Sequence, residues 1–437
     1  MKTLNVIATA IVIALMPVPT IAAAPKATLI YSANLNGELE PCGCSAAGDF
    51  GGILRRATQL DKLRSNEPDI ILVSAGGILA SEVSSDSIKN AYILKGFQAL
   101  DYDAIGVQWP DLAYGAKMLS ESKLPFTASN WKSKDISSSV LIRRNGVKLR
   151  VFQWLDPSRS PYRKMKTRVV QDSAAELIRL LKKSRNSGET TLVGTTLNYA
   201  QASKIVPMNQ VDILIIESKY EVFGDPQIIG STLVLQAGSR GMRLGELKFS
   251  IKSGGRIDDW SHRVIPLPNS LADAPRLLDW YNDYNQEVKT DYQRRVALRK
   301  AKTAGKQSPY LGADGCKACH SQSAAVWAKS EHAKAFEDLE NVGKEFDPNC
   351  LQCHTVAMGK EGGFLDQYMT SGLTNVQCEN CHGAGRTHAE SGGSKPIGLV
   401  SPVAENICAQ CHNKSHSPNF SFGQYWPRIM HEKEKPK

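Results

Sequence analysis

Short apolar segments recur along residues 24–270 and end in small side chains, a pattern that predicts buried β-strands. Helical spacing of apolar residues separates several of them, as in residues 55–64 and 174–183. Because strands that alternate with helices form sheets covered by helices, the pattern predicts a layered α/β domain. The predicted strands are residues 27–32, 70–74, 104–107, 149–154, 191–194 and 211–216, and residues 232–237 and 246–251 are predicted to form a closing antiparallel pair.

Residues 271–302 are rich in charge, lack glycine and carry apolar residues at helical spacing. The pattern predicts a long connecting helix followed by a short linker, so that residues 271–308 join two domains. A helix that packs on the first domain would show the same pattern, and the two interpretations are compatible. The apolar positions are Leu277, Leu278, Tyr281, Tyr284, Val288 and Tyr292.

Residues 309–437 show little apolar periodicity and have few aliphatic side chains for their length. Such a segment cannot bury enough apolar surface by itself to offset the conformational entropy that is lost on folding. Its core is therefore expected to come from something other than its side chains.

Cysteine and histidine concentrate in this same segment. Eight of the ten cysteines lie between Cys316 and Cys411, and eight of the nine histidines lie at or beyond His320. The cysteines form Cys-x-x-Cys-His motifs, the pattern that attaches haem c. The motifs are Cys316-Lys317-Ala318-Cys319-His320, Cys350-Leu351-Gln352-Cys353-His354, Cys378-Glu379-Asn380-Cys381-His382 and Cys408-Ala409-Gln410-Cys411-His412.

The spacing within each motif suits one haem. Two thiols separated by two residues reach the two vinyl groups on one edge of a porphyrin, and the next residue presents an imidazole to the iron. Zinc bound by paired Cys-x-x-Cys motifs is the alternative, but a zinc site does not require a histidine after the second cysteine, and all four motifs have one. Four covalently attached haem c groups are therefore the predicted cofactors.

Each iron has a second axial position. Histidine at this position favours a low-potential electron carrier, whereas methionine raises the reduction potential. Four further histidines for four irons favour mainly bis-histidine ligation. These candidates are His332, His388, His416 and His431, and the methionines of the segment are Met358, Met369 and Met430.

Stretches around the motifs match a known family pattern. They are YLG at 310–312, WAKSEHAKA at 327–335, CENCHGAGRTH at 378–388 and YWPRIMH at 425–431. In these stretches residues 309–431 resemble the tetrahaem cytochrome c-554 family, which implies a mainly helical, loop-rich multihaem cytochrome c domain over residues 309–437. The resemblance implies that His332, His388 and His431 are distal ligands. In this family one haem can stay five-coordinate, so whether one iron is open depends on His416.

The first domain keeps the framework of another family without its metal ligands. GGILRR at 51–56 and QAGSRG at 236–241 resemble the 5′-nucleotidase branch of the metallophosphoesterases, which implies a metallophosphoesterase-like α/β fold. A two-metal hydrolase needs several histidines and carboxylates, and His262 is the one histidine of this domain. A degenerate domain without phosphoesterase activity is therefore predicted. The family's Asp-x-His-Gly, Asp-Ala-Gly-Asp, Gly-Asn-His-Glu and Gly-His-x-His loops appear here as Asn34-Leu35-Asn36-Gly37, Ser74-Ala75-Gly76-Gly77, Gly106-Val107-Gln108-Trp109 and Glu217-Ser218-Lys219-Tyr220.

A cysteine pair follows the first of these loops, in Glu40-Pro41-Cys42-Gly43-Cys44. Two nearby thiols in an exported protein usually oxidise, and the small ring of a Cys-x-Cys disulfide is strained and easily reduced. Cys42 and Cys44 are therefore a candidate redox pair, or a soft-metal site, that exchanges electrons with a haem. The alternative is a disulfide that only clips the loop.

The N-terminus has the pattern of a secretory signal peptide. A lysine precedes an apolar run over residues 6–16, and small residues follow at 22–24, so we expect cleavage after Ala23. The run is too short to span a membrane, which needs about 20 residues. The predicted location is the periplasm, with at most peripheral membrane contact.

Charge adds little to this picture. The net charge of +10 is offset by about eight haem propionates, so nucleic-acid binding is not expected. The predicted function is electron transfer between donor and acceptor cytochromes or a quinol-oxidising complex. Two alternatives stay open: an oxidoreductase acting on a small nitrogen or sulfur compound at an open iron or at Cys42 and Cys44, and a binding module that senses a ligand through the α/β domain.

Overall fold

The computed structural model describes residues 24–41, 49–80, 86–131, 133–161, 170–216, 223–397, 405–413, 416–417 and 419–431. Within these residues the strands are β1 (Lys26–Ser32), β2 (Ile71–Ser74), β3 (Ala104–Gly106), β4 (Phe126–Thr127), β5 (Val140–Arg144), β6 (Val147–Trp154), β7 (Thr190–Thr195), β8 (Ile213–Ile216), β9 (Gln227–Ile229), β10 (Thr232–Gln236), β11 (Arg243–Lys252) and β12 (Arg256–Pro266).

In the described part of the chain the strands form two mixed sheets of six strands each. The first sheet has the order β12-β11-β1-β2-β3-β4, and the second has the order β5-β6-β7-β8-β10-β9. The central strands of each sheet run parallel, and the antiparallel pairs lie towards the edges. The two sheets face each other across one apolar core, where Leu29 and Ile71 of the first sheet join Val151 and Leu192 of the second.

The helices of the same residues are α1 (Ile53–Asn66), α2 (Asp86–Leu100), α3 (Ala116–Glu121), α4 (Ala175–Asn186), α5 (Tyr199–Ala202), α6 (Leu278–Thr303), α7 (Ala313–Lys317), α8 (Ser321–Ala328), α9 (Ala335–Asn341), α10 (Pro348–His354), α11 (Cys378–His382), α12 (Arg386–Glu390), α13 (Glu405–Cys408) and α14 (Phe422–Tyr425). Short 3₁₀ turns occupy Pro110–Leu112, Pro157–Arg159, Met208–Gln210, Ser253–Gly255, Pro275–Leu277, Glu331–Lys334, Ser371–Leu373 and Trp426–Arg428. None of the described helices is both long and apolar enough to cross a membrane.

Helices cover the outer face of each sheet. Leu60 of α1 and Phe97 of α2 pack with strand residues of the first sheet, and Leu177 of α4 packs against the second. Strands that are covered on both faces are apolar throughout, which is why these segments appear as continuous apolar runs in the sequence. The predicted layered α/β fold is confirmed.

One predicted strand pairing is wrong. Residues 232–236 and 243–252 do form strands, but β10 pairs with β8 and β9, whereas β11 pairs with β1 and β12. The loop between them is longer than the two-residue turn of a tight hairpin and includes left-handed backbone at Arg240 and Gly241, with φ of 59° and 65°. This loop carries the chain from the second sheet to the first.

Helix α6 packs against both halves of the molecule. In its first half, Tyr284 lies 5.5 Å from the Tyr92 ring of α2, measured between ring centroids. In its second half, the Tyr292 hydroxyl donates a hydrogen bond to the Leu365 carbonyl at 2.7 Å. A single apolar core extends from the first sheet along α6 into the C-terminal region. Leu278, which the periodicity placed on the buried face, is exposed.

Replacing Val288 by alanine is expected to lower the free energy of unfolding by about 1–3 kcal/mol, because it leaves a cavity in the core that both halves share. Val288 is only 6% exposed, on the buried face of α6. Urea denaturation of the haem-loaded protein, followed by circular dichroism, measures the change. The matched control is Val342→Ala at a 67% exposed position, where a change within about 0.5 kcal/mol is expected. Equal effects of the two substitutions would contradict a shared core along α6.

Candidate haem-binding site

The four Cys-x-x-Cys-His motifs lie on single turns of helix. The second and third motifs are contained in α10 and α11, and the first cysteines of the other two lie in α7 and α13. The His320 N–H donates to the Cys316 carbonyl at 3.0 Å, and the His412 N–H donates to the Cys408 carbonyl at 2.7 Å. One turn therefore presents two thiols and an imidazole to the same region of space. None of the eight motif cysteines is paired in a disulfide.

Three motif histidines face a second histidine from a distant part of the sequence. An imidazole nitrogen binds a transition metal at about 2.0 Å and lies roughly 1.1 Å from its ring centre, so two imidazoles on one iron have centroids about 6 Å apart. The observed separations match this geometry. They are 6.1 Å for His320 and His388, 5.9 Å for His412 and His332, and 5.8 Å for His382 and His431.

Hydrogen bonds at Nδ1 orient several of these imidazoles. Nδ1 of His354 bonds to the Ala335 carbonyl, and Nδ1 of His388 lies 2.6 Å from the Lys395 carbonyl oxygen. A bond to Nδ1 fixes the ring and leaves Nε2 to bind a metal, as in other metal-ligating histidines. Burial lowers the pKa of His332 and His412, which favours the neutral imidazole that a metal requires.

The second motif differs from the other three. Among the described residues no imidazole faces His354 in the way that the three pairs face each other. His416 is exposed, and its backbone N–H donates to the carbonyl oxygen and to Oδ1 of Asn413, at 3.2 and 3.0 Å. Met358 accepts hydrogen bonds from the Arg299 guanidinium at 3.5 and 3.6 Å.

The thiols of different motifs lie close to one another. The thiol of Cys316 in the first motif lies beside that of Cys378 in the third, and the thiol of Cys411 in the fourth lies beside that of Cys353 in the second. The environment of Cys381 in the third motif includes both cysteines of the fourth. The motifs therefore follow one another in space in the order first, third, fourth and second. Among the described residues no group of three or more His, Cys, Asp or Glu converges as a metal cluster.

A buried carboxylate between two motif cysteines organises this region. Glu379 accepts the N–H groups of Leu311, Gly312 and Gly385, at 2.7–3.1 Å. Gln377 accepts the Ala313 N–H and donates to the Gly372 carbonyl. The approach to the first motif is thus held by side chains of the third. Sequence reasoning missed both residues, because an acidic or amide side chain inside a haem motif has no signature until its long-range partners are known.

The loops of the α/β region that follow β1, β2 and β3 are joined by hydrogen bonds. Gln108 donates to Asn34 Oδ1 at 3.1 Å and to the Ala75 carbonyl at 2.9 Å. The carboxylate of Asp111 accepts four backbone N–H groups, including those of Gln108 and Gly77. Burial raises the pKa of Asp111. A Cβ on Gly77 would meet Gln108 Oε1 at 2.8 Å, so an aspartate does not fit there without movement.

Two features of the sequence lie outside the described residues. They are the cysteine pair, Cys42 and Cys44, and the segment 217–220. The residue that precedes the cysteine loop is described. Glu40 accepts hydrogen bonds from the Tyr281 hydroxyl of α6 and from Lys344, four residues before α10 begins. The start of the cysteine loop therefore lies against the segment that leads into the second motif.

The C-terminal region is similar to known cytochromes. The family model described as "Cytochrome c554 and c-prime" matches residues 315–383. The curated cytochrome c-554 of Nitrosomonas europaea is 33% identical over 114 residues, which cover 22% of this chain and 48% of that protein. The chain thus spans about half the length of this curated relative. The cytochrome c-554 family implies covalently bound haem c.

The N-terminal part resembles solved structures in fold. A 5′-nucleotidase precursor from Thermus thermophilus superimposes with a TM-score of 0.52 and 14% identity, covering 61% of this chain and 59% of that one. A putative 5′-nucleotidase from Staphylococcus aureus, in complex with alpha-ketoglutarate, gives 0.50 and 12%, covering 60% and 59%. At this identity the likeness shows the fold alone. The chain therefore joins a region similar to the cytochrome c-554 family to a region with the fold of the 5′-nucleotidases.

Proposed function

We propose that this chain is an electron-transfer protein with four covalently attached haem c groups, one at each Cys-x-x-Cys-His motif. The observation that carries the proposal is the set of histidine pairs with centroids 5.8–6.1 Å apart. The similarity to cytochrome c-554 supports an electron-transfer role for a c-type cytochrome. Haem supplies one-electron chemistry at its iron. The residues of the chain attach the haems, bind their irons and set the order of the motifs.

The haem at the second motif is proposed to lack a second histidine ligand. The side chain of His354 is oriented by Ala335, and the distal histidines of the described residues face the other three motifs. An iron with an open position binds small ligands, so a second candidate function, oxidoreduction of a small nitrogen or sulfur compound, would take place at this motif. A bis-histidine carrier and an open-iron enzyme differ in spin state.

The α/β region is proposed to dock a partner or bind a ligand and to hydrolyse no phosphoesters. Its support is the closed geometry around Gln108, Gly77 and Asp111, where side chains and backbone satisfy one another in place of metal ions.

The cellular setting belongs to the same proposal. Residues 1–23 are proposed to be a signal peptide that directs the protein to the periplasm, because a lysine precedes an apolar run and small residues follow that run. The proposed partners are donor and acceptor cytochromes or a quinol-oxidising complex. Any membrane contact is peripheral, and nucleic acid is not a partner.

The cysteine pair is proposed as a redox site that exchanges electrons with the second haem. Cys42 and Cys44 follow Glu40 by two and four residues in the sequence. Glu40 is ion-paired with Lys344, close to the helix that carries Cys350. The position of the loop's first residue therefore favours exchange with this motif over the others.

Electron paramagnetic resonance of the oxidised protein is expected to show three low-spin haems and one high-spin haem, and the intact mass is expected to include four haem groups. His388→Ala is expected to add a second high-spin signal, because it removes the ligand that faces His320. His416→Ala is the matched control and is expected to leave the spectrum unchanged. Four low-spin signals in the unaltered protein, or a new high-spin signal in His416→Ala, would contradict an open iron at His354.

Incubation with AMP or bis(p-nitrophenyl) phosphate, in the presence of Mn²⁺ or Zn²⁺, is expected to release no phosphate or nitrophenol above the protein-free rate. The physical reason is that Asn34, Gly77 and Gln108 replace groups that would hold two metal ions. The assay follows released phosphate and nitrophenol, with an active phosphatase as the positive control. Metal-dependent hydrolysis that is lost on Asn34→Ala would show that the domain is active.

Thiol titration at controlled potential is expected to show Cys42 and Cys44 cycling between dithiol and disulfide within the potential range of the haems. Cys42→Ser is expected to remove this two-electron step while all four haems are retained. If the pair stays in one state throughout that range, the disulfide is a structural clip and the redox proposal for the pair is wrong.

A further inference from the structure

A buried polar cluster joins the α/β region to the segment that carries the second motif. It lies between the loop after β1, the first half of α6 and the residues that precede α10. Lys344, which is 9% exposed, pairs with Glu40 and donates to Asn285 Oδ1 at 2.6 Å. The members are Glu40, Tyr281, Tyr284, Asn285, Lys344 and Asp347.

The charges of this cluster do not balance. Two carboxylates, Glu40 and Asp347, share the ammonium of Lys344. The next cation is Lys89 of α2, which is 3.7 Å from Asp86 and is therefore already ion-paired. Asp347 is 4% exposed, and a buried carboxylate without a cation of its own favours the protonated form. Burial, and then the charge of Glu40, raise the pKa of Asp347 above its ordinary value.

The carboxylate of Asp347 lies at the start of the haem-binding helix. Its Oδ1 accepts the Asn349 N–H at 2.9 Å, which makes Asp347 the N-cap of α10. Its carbonyl accepts the N–H groups of Cys350 and Leu351 at 3.0 Å. The environment of Tyr284 includes both Asp347 and Cys350. One turn of helix thus separates the carboxylate from the first thiol of the motif.

We propose that Asp347 is a proton-binding group coupled to the haem of the second motif. Asp347 takes up one proton from water when a donor protein delivers one electron to that haem, and it releases the proton when the electron leaves. The coupling is electrostatic, because the added negative charge strengthens proton binding at a nearby buried carboxylate. The inference rests on the proposed function, since it needs a haem at Cys350 and Cys353.

The groups that face Asp347 set the range of pH in which it acts. They are Glu40 from the loop after β1, Lys89 from α2, Tyr284 from α6, and Lys344 from its own segment, and Tyr281 contacts Glu40 and Lys344. Burial and the charge of Glu40 raise the pKa of Tyr281 to about 12, so this phenol stays neutral. A cavity of about 40 Å³ lined by Glu40, Pro41 and Tyr281 has room for a water molecule, which gives protons access to the cluster.

The sign of the effect follows from the charge. Asp347 binds a proton less tightly when the haem is oxidised than when it is reduced, so its pKa is lower beside the oxidised haem. In the pH range between these two pKa values, the reduction potential of the second haem falls as pH rises. One proton per electron corresponds to about 59 mV for each tenfold change in proton concentration. Potentials of the individual haems, measured by spectroelectrochemical titration from pH 5 to 9, give this slope.

Asp347→Asn is expected to abolish the pH slope at one haem and to leave four haems bound, because asparagine caps a helix as well as aspartate does. Asp314→Asn is the matched control. Its side chain is 88% exposed in the first turn of α7, before Cys316, so the same loss of charge is expected to leave the slopes unchanged. Glu40→Gln is expected to move the pH-dependent range to lower pH, because it removes a charge that favours protonation of Asp347.

Three outcomes would overturn the inference. Potentials that are independent of pH in the four-haem protein exclude the coupling and leave the proposed electron transfer intact. A slope that survives Asp347→Asn but disappears in Glu40→Gln places the proton on Glu40. A slope that both variants retain places it outside the cluster. A haem count below four would instead contradict the proposed function, so the two failures are distinguishable.

Discussion

Imidazole pairs formed between distant parts of the chain are the constraint on which the C-terminal region depends. The described helices beyond α6 are short, and most of the region is loop. Such a chain segment has little apolar surface of its own with which to offset the entropy of ordering. His332 lies opposite His412, and His382 lies opposite His431, so each histidine pair closes a long loop. In the proposed four-haem protein, the apolar faces of the macrocycles and the metal bonds add to the apolar core that the region shares with α6.

The α/β region is held together by hydrogen bonds between its loops as well as by apolar packing. The loops that follow β1, β2 and β3 are held by Asp111 and Gln108, which satisfy backbone N–H and carbonyl groups that would otherwise be buried without partners. Both sheets and their covering helices remain because their stability comes from apolar packing and needs no metal. The same packing continues along α6 into the C-terminal region, so the two regions share one core.

This shared core brings the two regions together at one place. Glu40, at the start of the cysteine loop, meets Lys344 and Asp347 beside the second motif. That motif is also the one whose histidine has no imidazole opposite it among the described residues. These features therefore converge on the second motif, whereas the histidine of each other motif faces a second imidazole.

Local chemistry was readable from the sequence by itself. The Cys-x-x-Cys-His spacing is a property of one helical turn, the alternation of strands and helices is a property of short windows, and the departures from the 5′-nucleotidase loop motifs are visible position by position. The pairing of strands into sheets could not be predicted as well as the strands themselves. Residues 232–236 and 243–252 have strand patterns, but the sheet that each one joins depends on β8 and β1, which lie far away in the sequence.

Only the tertiary structure decided which histidine faces which motif and which carboxylates become buried. His388 precedes the fourth motif in sequence yet faces His320 of the first. The sequence identifies Asp347 only as a helix N-cap, whereas the structure packs Glu40 and Tyr284 around it. The physical reason is the same in both cases: ligation and burial are set by residues that the chain brings together over long sequence separations, and no local pattern records them.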